Sequence, residues 1–459
     1  MLGTMVSLAV CLALYARMTT ALPTISAVGS KFFTSDGNQF FIKGIAYQLV
    51  ANDPLIDTKQ CQLDATLMKE LGANAIRVYH VDPLADHTGC MQVFADAGIY
   101  LFVDMDSFQT YIKLDVIAWN QNKSDSFKQV MDEFQKYDNT AGFFVGNEVL
   151  NGLSDSPAAP YLLAAAADLK AYRDAKGYRP IPIGYSATDS APLGSLLQDY
   201  LACRSNVSER LDFFSLNSYE WCGSQTSYAT SGYMALQHSF EDYPAPIFFS
   251  ETGCNTVPPR DFSDQTAIFG ANMSGTWSGA IIYEWIQEMN HYGLISYGPF
   301  ASNALQQGTT VIDGYPRQGT PTPVTPDFSN LKAQWATISP TGVALSAYSG
   351  TSVTPRPCPP STAGGWAVDA SLPLPTIGQV ETPAASSAAS APSPTGPRPA
   401  GTAPSSSAAD AVGSGSATST TASGSAAQFE HNVLVFNEGS VAGCLVALLT
   451  IGLAVLVLL

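Results

Sequence analysis

Eight short runs of apolar, β-branched or aromatic residues recur along the middle of the chain, each of a length suited to one buried strand. They lie at 39–47, 75–79, 99–105, 141–148, 180–186, 213–219, 245–251 and 279–285. Segments with helical periodicity separate them; Phe127, Met131 and Phe134, for example, fall on one face of a helix. Apolar strands that alternate with helices are typical of a parallel sheet covered on both faces.

Eight strand–helix units predict an α/β fold, a (β/α)8 TIM barrel with loop insertions. An open, doubly wound sheet is the alternative, but no glycine-rich phosphate-binding turn opens a helix after the first run. In a barrel of this kind the functional residues lie at the carboxyl ends of the strands, so we examine those positions for chemistry.

The two ends of the chain have the composition of targeting segments. Residues 1–21 contain an apolar run followed by small residues, which predicts a secretory signal peptide; a short membrane anchor is the alternative. Residues 428–459 end in a long uncharged apolar tail, and small residues precede them near Gly424, Ser425 and Ala426. This order predicts a GPI-anchor signal that is removed, with the lipid attached near those small residues; a retained membrane tail is the alternative.

Between these ends we expect a globular catalytic body at 22–360 and a low-complexity stalk at 361–427. Residues 381–425 consist almost entirely of Ser, Thr, Pro, Ala and Gly and contain no aromatic residue. Such a segment cannot bury enough apolar surface to offset the entropy lost on ordering. Ser and Thr interspersed with Pro favour O-glycosylation, with an undecorated linker as the alternative. This organisation predicts an extracellular body held at a surface.

Composition limits the classes of molecule that this globular body is expected to bind. The 459 residues carry a formal net charge of −17, which argues against a nucleic-acid partner because such a partner requires a basic face. An even number of cysteines outside the targeting segments predicts disulfides, with their pairing open: Cys61, Cys90, Cys203, Cys222, Cys254 and Cys358. N-glycosylation sequences begin at Asn122, Asn206 and Asn272.

Two glutamates end two of the predicted strands. Glu148 ends the fourth run and Glu251 ends the seventh, and these strands face each other across the barrel mouth. Glycoside cleavage with retention requires such a pair about 5–5.5 Å apart, one to protonate the leaving oxygen and one to attack the anomeric carbon. Structural helix-capping or ion-paired glutamates are the alternative. Asn147, directly before Glu148, favours catalysis because an amide there can hydrogen bond a sugar hydroxyl.

The chain resembles the fungal β-1,3-glucanosyltransferases, the Gas/Gel/Phr family or glycoside hydrolase family 72. FFIKGIAYQ, ANAIRVYHVDP, ADAGIYLFVDM, FFVGNEV, FFSLNSYEWCG and IFFSETGCN carry the resemblance, in the expected order between residues 40 and 293. It implies a retaining transferase that cleaves a β-1,3-glucan chain and joins it to the non-reducing end of another, elongating cell-wall glucan. It further implies no cofactor and no metal, and a monomer held at the cell membrane and wall by a GPI anchor.

The resemblance also implies roles for single residues. Glu148 would be the general acid/base and Glu251 the nucleophile. The residues that would bind glucose units are Gln48, Tyr79, Asp104, Asn147, Tyr219 and Tyr283. The implied disulfides are Cys61–Cys90, Cys203–Cys358 and Cys222–Cys254. Because Cys358 is the single cysteine between the last predicted strand and the predicted GPI-anchor signal, the chain would be the form without a C-terminal cysteine-rich carbohydrate-binding module.

Three other functions stay open on the sequence. A retaining endo-β-glucanase or mannanase would use the same two glutamates with water as the acceptor. A non-catalytic, wall-anchored glucan-binding protein would keep the cleft without the reaction. A metal-dependent transferase would use the D-x-D of Asp104 and Asp106, but no clustered histidines support it.

Overall fold

The computed structural model describes residues 22–302, 310–350 and 354–381. The predicted signal peptide, the predicted GPI-anchor signal with its attachment residues, and most of the predicted stalk lie outside these ranges. None of the helices within them combines the length and the apolarity needed to cross a bilayer.

Eight parallel strands close into a barrel, in which the last strand pairs with the first to complete the ring. After the hairpin β1 (Ile25–Val28) and β2 (Lys31–Thr34), the barrel strands are β3 (Ile42–Ala46), β4 (Ala75–Val78), β5 (Tyr100–Asp104), β6 (Thr140–Asn147), β7 (Ile183–Thr188), β8 (Phe213–Asn217), β9 (Ile247–Thr252) and β10 (Trp277–Ile282). Each predicted run overlaps one barrel strand. The (β/α)8 barrel is therefore confirmed, and the open sheet is wrong.

A helix follows each barrel strand and covers it from outside. The helices are α1 (Thr58–Leu71), α2 (Thr88–Ala97), α3 (Gln121–Phe134), α4 (Ala159–Ala175), α5 (Leu193–Ala202), α6 (Tyr233–Ser239), α7 (Asp264–Ile268) and α8 (Asp327–Thr337). α3 buries the predicted apolar face, and Asn120 caps it by accepting a hydrogen bond from the Lys123 amide at 3.0 Å. Short two-stranded sheets pair β11 (Ile295–Ser296) with β14 (Thr322–Pro323) and β12 (Val311–Ile312) with β13 (Tyr315–Pro316).

Phenylalanine side chains fill the barrel interior on the side of the β1–β2 hairpin. Phe32 of β2 has no exposed surface, and its ring centroid lies 6.1 Å from that of Phe102 and 6.0 Å from those of Phe213 and Phe248. Phe144 lies 5.1 Å from Phe213 in an edge-to-face arrangement. Tilted and edge-to-face rings at such distances pack favourably. We call these five residues the phenylalanine cluster.

The globular body extends past its predicted end. Residues 361–381, which we call the C-terminal arm, were expected in the stalk but pack on the barrel. Trp366 is completely buried, with its ring centroid 5.5 Å from that of Tyr200. The Glu381 amide donates to the Ile117 carbonyl at 2.9 Å. The predicted boundary between body and stalk at residue 361 is therefore too early. Burial of the arm's apolar side chains offsets the conformational entropy lost when the arm is ordered.

Three disulfides connect the loops and helices. Cys61–Cys90 joins α1 to α2, Cys222–Cys254 joins the segments after β8 and β9, and Cys203–Cys358 ties the end of α5 to the chain just before the arm. These are the pairs that the resemblance implies. The asparagines of the three predicted glycosylation sequences are all exposed: Asn122, Asn206 and Asn272.

Candidate active site

A buried arginine organises the carboxyl-terminal end of the barrel. Arg77 of β4 has no exposed surface, and its guanidinium grips Asp104 of β5 with two hydrogen bonds, Nε to Oδ1 at 3.0 Å and Nη2 to Oδ2 at 2.7 Å. Its Cζ lies 4.3 Å from the ring centroid of Phe144 and 4.4 Å from that of Tyr79. A guanidinium is costly to bury without a counter-charge, so the planar pair with Asp104 determines where the positive charge lies.

Three donors converge on the carboxyl group of Glu251, which β9 places at the barrel mouth. The Tyr219 hydroxyl donates to Oε2 at 2.8 Å, the Tyr79 hydroxyl donates to Oε1 at 2.9 Å, and Arg77 Nη1 lies 3.5 Å from Oε1. Burial raises the pKa of Glu251 to about 7; Arg77 and the two hydroxyls oppose this rise, and the charge of Glu148 adds to it. The carboxyl group is thus oriented from both oxygens and titrates near neutral pH.

Glu148 follows β6 directly, and the backbone changes direction there. Its φ is +47°, in the left-handed region, and its amide donates to the Ser186 carbonyl at 2.8 Å. Its side-chain Oε1 accepts a hydrogen bond from Asn217 Nδ2 at 2.9 Å. A left-handed conformation costs a non-glycine residue about 1–3 kcal/mol and persists only where the surroundings impose it, as functional sites often do.

Two asparagines connect the surroundings of the two glutamates. Asn147 Oδ1 accepts from Arg77 Nη2 and from Asn217 Nδ2, both at 3.0 Å. Asn217 Oδ1 in turn accepts from the hydroxyls of Ser186 at 2.9 Å and Ser250 at 2.8 Å. Because both donors act on the oxygen of Asn147, its amide orientation is settled, and Nδ2 is the atom available to donate to a ligand.

Tyrosine rings and a cavity adjoin this network. The rings of Tyr219, Tyr283 and Tyr292 form a triangle, with centroid distances of 6.4, 5.6 and 5.4 Å. An aromatic face covers the C–H side of a sugar, and a hydroxyl can bond its edge. A separate cavity of about 190 Å³ is lined by Tyr79, Asn147 and residues of the loop after β5.

The structure brings the predicted site residues to one end of the barrel and adds detail on two of them. The amide of Gln48 is occupied by backbone: Nε2 donates to the Val50 carbonyl at 2.8 Å, and Oε1 accepts from the Tyr79 amide at 2.9 Å. Both oxygens of Asp104 face Arg77. In the structure these two residues therefore position others, and their contact with a sugar stays a prediction, as do the roles of the two glutamates.

Sequence reasoning missed two members of the network, Arg77 and Asn217. Arg77 is the single polar residue of β4, and Asn217 is the last residue of β8; a polar residue in a barrel strand was the available signal. The D-x-D that prompted a metal hypothesis is engaged by Arg77 at its first aspartate. Over the described ranges no three His, Cys, Asp or Glu side chains cluster so as to hold a metal ion.

Comparisons with known proteins converge on one group. The profile described as "Glucanosyltransferase" matches residues 14–311. Protein EPD1 of Candida maltosa is 41% identical over 360 residues, which cover 77% of this chain and 61% of that protein. The 1,3-beta-glucanosyltransferase gas2 of Schizosaccharomyces pombe is 40% identical over 357 residues, which cover 74% of this chain and 73% of that protein. The chain thus spans less than two thirds of the length of EPD1.

Solved structures agree in fold and family. A Saccharomyces cerevisiae Gas2p mutant in complex with laminaritetraose and laminaripentaose is 36% identical, with a TM-score of 0.68 over 77% of this chain and 74% of that one. A second Gas2 structure, in complex with a compound, is 37% identical, with a TM-score of 0.69 over 77% of this chain and 76% of that one.

Proposed function

The chain belongs to the glucanosyltransferase family, glycoside hydrolase family 72, and on that premise we propose that it is a retaining β-1,3-glucanosyltransferase. It would cleave a β-1,3-glucan chain and transfer it to the non-reducing end of another. The observation that supports this most is the setting of Glu251: a carboxyl group at the barrel mouth gripped on both oxygens, with Glu148 close enough to perturb its pKa.

In the first step Glu251 is the nucleophile and Glu148 the acid. Ionised Glu251 attacks the anomeric carbon of the bound glucan, while protonated Glu148 gives its proton to the leaving oxygen. The reducing-side fragment departs as an alcohol, and the rest of the chain stays as an ester on Glu251. Burial, and to a smaller extent the charge of Glu148, raises the pKa of Glu251, so Glu251 must lose its proton before it can attack.

In the second step Glu148 changes role. Now ionised, it removes a proton from the 3-hydroxyl of a second glucan, whose oxygen displaces Glu251 and forms a new β-1,3 bond. Water in the same position would give hydrolysis instead. The two glutamates serve both outcomes, so occupancy of the acceptor side and exclusion of water decide between transfer and hydrolysis.

The other site residues orient the substrate. Asn147 Nδ2 would donate to the 2-hydroxyl of the reacting sugar, since its Oδ1 already accepts two hydrogen bonds. Tyr219 and Tyr283 would hold glucose units against their rings. Tyr79 would combine a hydrogen bond to the nucleophile with a place at the edge of the cavity.

The location we propose follows from the sequence. The protein would be exported by residues 1–21, carried as a monomer on a stalk that begins after the C-terminal arm, and anchored through a GPI lipid near Gly424, Ser425 or Ala426. The exposed asparagines of the three N-glycosylation sequences suit an extracellular protein.

The deciding experiment measures product length. The purified protein is incubated with a reducing-end-labelled β-1,3-glucan oligosaccharide, and products are followed by mass spectrometry. We expect products longer than the starting sugar. Shorter products alone would replace transferase by hydrolase with the same glutamates, and binding without any change in length would indicate a non-catalytic glucan-binding protein.

A further inference from the structure

One obligate donor determines the direction of the hydrogen bonds that lead to Glu148. The guanidinium of Arg77 can only donate, so the side-chain atom of Asn147 that lies 3.0 Å from its Nη2 is the carbonyl oxygen, Oδ1. That oxygen can only accept, so the atom of Asn217 that lies 3.0 Å from it is the amide nitrogen, Nδ2. The same Nδ2 lies 2.9 Å from Oε1 of Glu148 and donates to it.

The other side of the Asn217 amide agrees with this orientation. Its Oδ1 accepts from the hydroxyl of Ser186 at 2.9 Å and from that of Ser250 at 2.8 Å. The side chain is buried and its capacity is used, since Nδ2 donates once to Asn147 and once to Glu148 while Oδ1 accepts twice. Asn217 therefore has no donor or acceptor to offer a sugar, and it acts only on its protein neighbours.

The hydrogen bond from Asn217 makes the two oxygens of Glu148 unequal. When Glu148 is protonated, one oxygen is a carbonyl and the other a hydroxyl, and the carbonyl is the better acceptor. Oε1 faces the amide and is therefore the carbonyl, so the acidic proton lies on Oε2. Among the described residues no hydrogen bond holds Oε2, which leaves its proton available to a leaving oxygen.

The same contact serves the second step of the proposed reaction. After the proton has passed to the leaving oxygen, Glu148 is ionised, and a hydrogen bond to a charged group is stronger than one to a neutral group. Asn217 thus keeps Oε1 turned toward its amide, and Oε2 stays directed at the place where the incoming hydroxyl gives up its proton. The amide itself neither gains nor loses a proton in either step.

We propose that Asn217 is a positioning residue for Glu148: it holds Oε1 as the acceptor of an amide and so assigns proton donation, and later proton removal, to Oε2. Ser186 and Ser250 in turn hold the amide of Asn217 in place. The inference rests on the proposed function, in which Glu148 is the acid/base, and deepens it. All of the effect of Asn217 on catalysis should pass through Glu148.

The test is a double-mutant cycle on the full chain with a labelled β-1,3-gluco-oligosaccharide as substrate. Asn217→Asp keeps the shape of the side chain and the oxygen that faces the serines, but it replaces the donor to Glu148 by an oxygen. We expect kcat to fall by about 10- to 100-fold with little change in KM, since one hydrogen bond to a charged group is worth that factor. In the Glu148→Gln background the same change should lower kcat by less than about twofold, because the group that Asn217 positions is already gone.

A donor with a better leaving group gives an independent measurement. The 2,4-dinitrophenolate of an aryl β-1,3-gluco-oligosaccharide departs without a proton, so its release reports the first step without acid catalysis. Asn217→Asp should lower kcat/KM for this donor by less than about threefold, because a leaving group that needs no proton gains little from a general acid. An equal loss with both donors would overturn the inference, since a general distortion of the site would affect both.

Two further variants separate positioning from stability. Ser250→Ala removes one donor to Oδ1 of Asn217 and should show the same pattern on a smaller scale, about two- to fivefold in kcat on glucan, even if Asn217→Asp does not fold. Asn139 is the matched control, a buried asparagine just before β6 whose Nδ2 donates to the carbonyls of Met91 and Ile99 at 3.1 and 3.2 Å. Asn139→Asp should lower the melting temperature and leave the kcat of the folded protein unchanged.

A folded Asn217→Asp protein with the kcat of wild type would overturn the inference while leaving the transferase intact. A loss of equal size in the Glu148→Gln background would also overturn it, because Asn217 would then act on something other than Glu148. Failure of the proposed function would look different: the wild-type chain would not lengthen the oligosaccharide, and Glu148→Gln would behave like wild type.

Discussion

The two ends of the barrel interior differ in composition: one is filled by apolar side chains and the other by polar and charged ones. Toward the hairpin, the buried aromatic rings of the phenylalanine cluster fill the space. Toward the carboxyl ends of the strands, two glutamates, an Arg77–Asp104 pair and two asparagines share one hydrogen-bond network. Arg77 marks the border, with its guanidinium between the ring of Phe144 and that of Tyr79.

The difference between the two ends indicates that the apolar end mainly stabilises the fold and the polar end mainly supports catalysis. Buried rings lower the free energy of folding through removal of apolar surface from water and need no particular ionisation state. Buried carboxyl groups cost folding free energy unless they are neutral, paired or hydrogen bonded. The polar end keeps such groups, so its residues should affect activity far more than stability, and residues of the phenylalanine cluster should do the reverse.

The largest effect expected is on catalysis at the polar end. Glu251→Gln removes the nucleophile and should abolish product, and Glu148→Gln removes the acid/base and should lower kcat by about 10²–10⁴. Both are measured by product formation from labelled glucan. Glu70→Gln, a change on the exposed face of α1, is the control and should be silent. Substantial activity in either active-site variant would contradict the assignment.

Glu251→Gln also tests whether residues of the polar end contribute to the stability of the fold. Glu251 has a folded pKa of about 7 against 4.5 for the ordinary group, so the folded protein holds this proton more tightly than the unfolded chain does. Its contribution to stability is present below about pH 4.5 and is lost as pH rises through 7. Glu251→Gln should therefore melt no lower than wild type at pH 8. A clearly lower melting temperature would show that the ionised carboxylate stabilises the fold.

The apolar end should give the opposite result. Phe32→Ala leaves a cavity in the phenylalanine cluster and should lower the free energy of unfolding by about 3–5 kcal/mol, measured by chemical denaturation. The kcat of the fraction that stays folded should remain close to wild type. Phe32→Leu should cost less, and Leu84→Ala, at a side chain 84% exposed, should stay within about 0.5 kcal/mol. If Phe32→Ala lost kcat without losing stability, the assignment of stability to the apolar end and of activity to the polar end would be wrong.

The smallest effect expected is a shift in pH dependence within the polar end. Tyr219→Phe removes a hydrogen bond that lowers the pKa of Glu251, so that pKa rises. Since the nucleophile must be ionised, the acid limb of the kcat/KM profile should move to higher pH, by up to about one unit. Tyr292→Phe, in the same tyrosine triangle, is the matched control. An acid limb that moves to lower pH would contradict the proposed role of Glu251.

Much of the fold was predictable because barrel strands are buried on both faces. Their apolar runs stand out from the helical segments between them, and all eight runs overlapped observed strands. The stalk boundary was placed too early because composition averages over a window and overlooked single anchoring residues such as Trp366. Arg77 and Asn217 were missed because a polar residue in a strand does not by itself show which partners it will meet.

The sequence by itself determined the order of the strands along the chain and the placement of Glu148 and Glu251 at strand ends, because periodicity and strand ends are local properties of the chain. The export and anchoring signals stay predictions from composition. Only the tertiary structure decided what surrounds those glutamates. Arg77 and Tyr79 reach Glu251 from β4 and the residue after it, and Tyr219 reaches it from the segment after β8. The arm reaches the loop after β5 from more than 200 residues away in the chain. Such contacts depend on closure of the barrel, which brings distant strand ends within hydrogen-bonding distance.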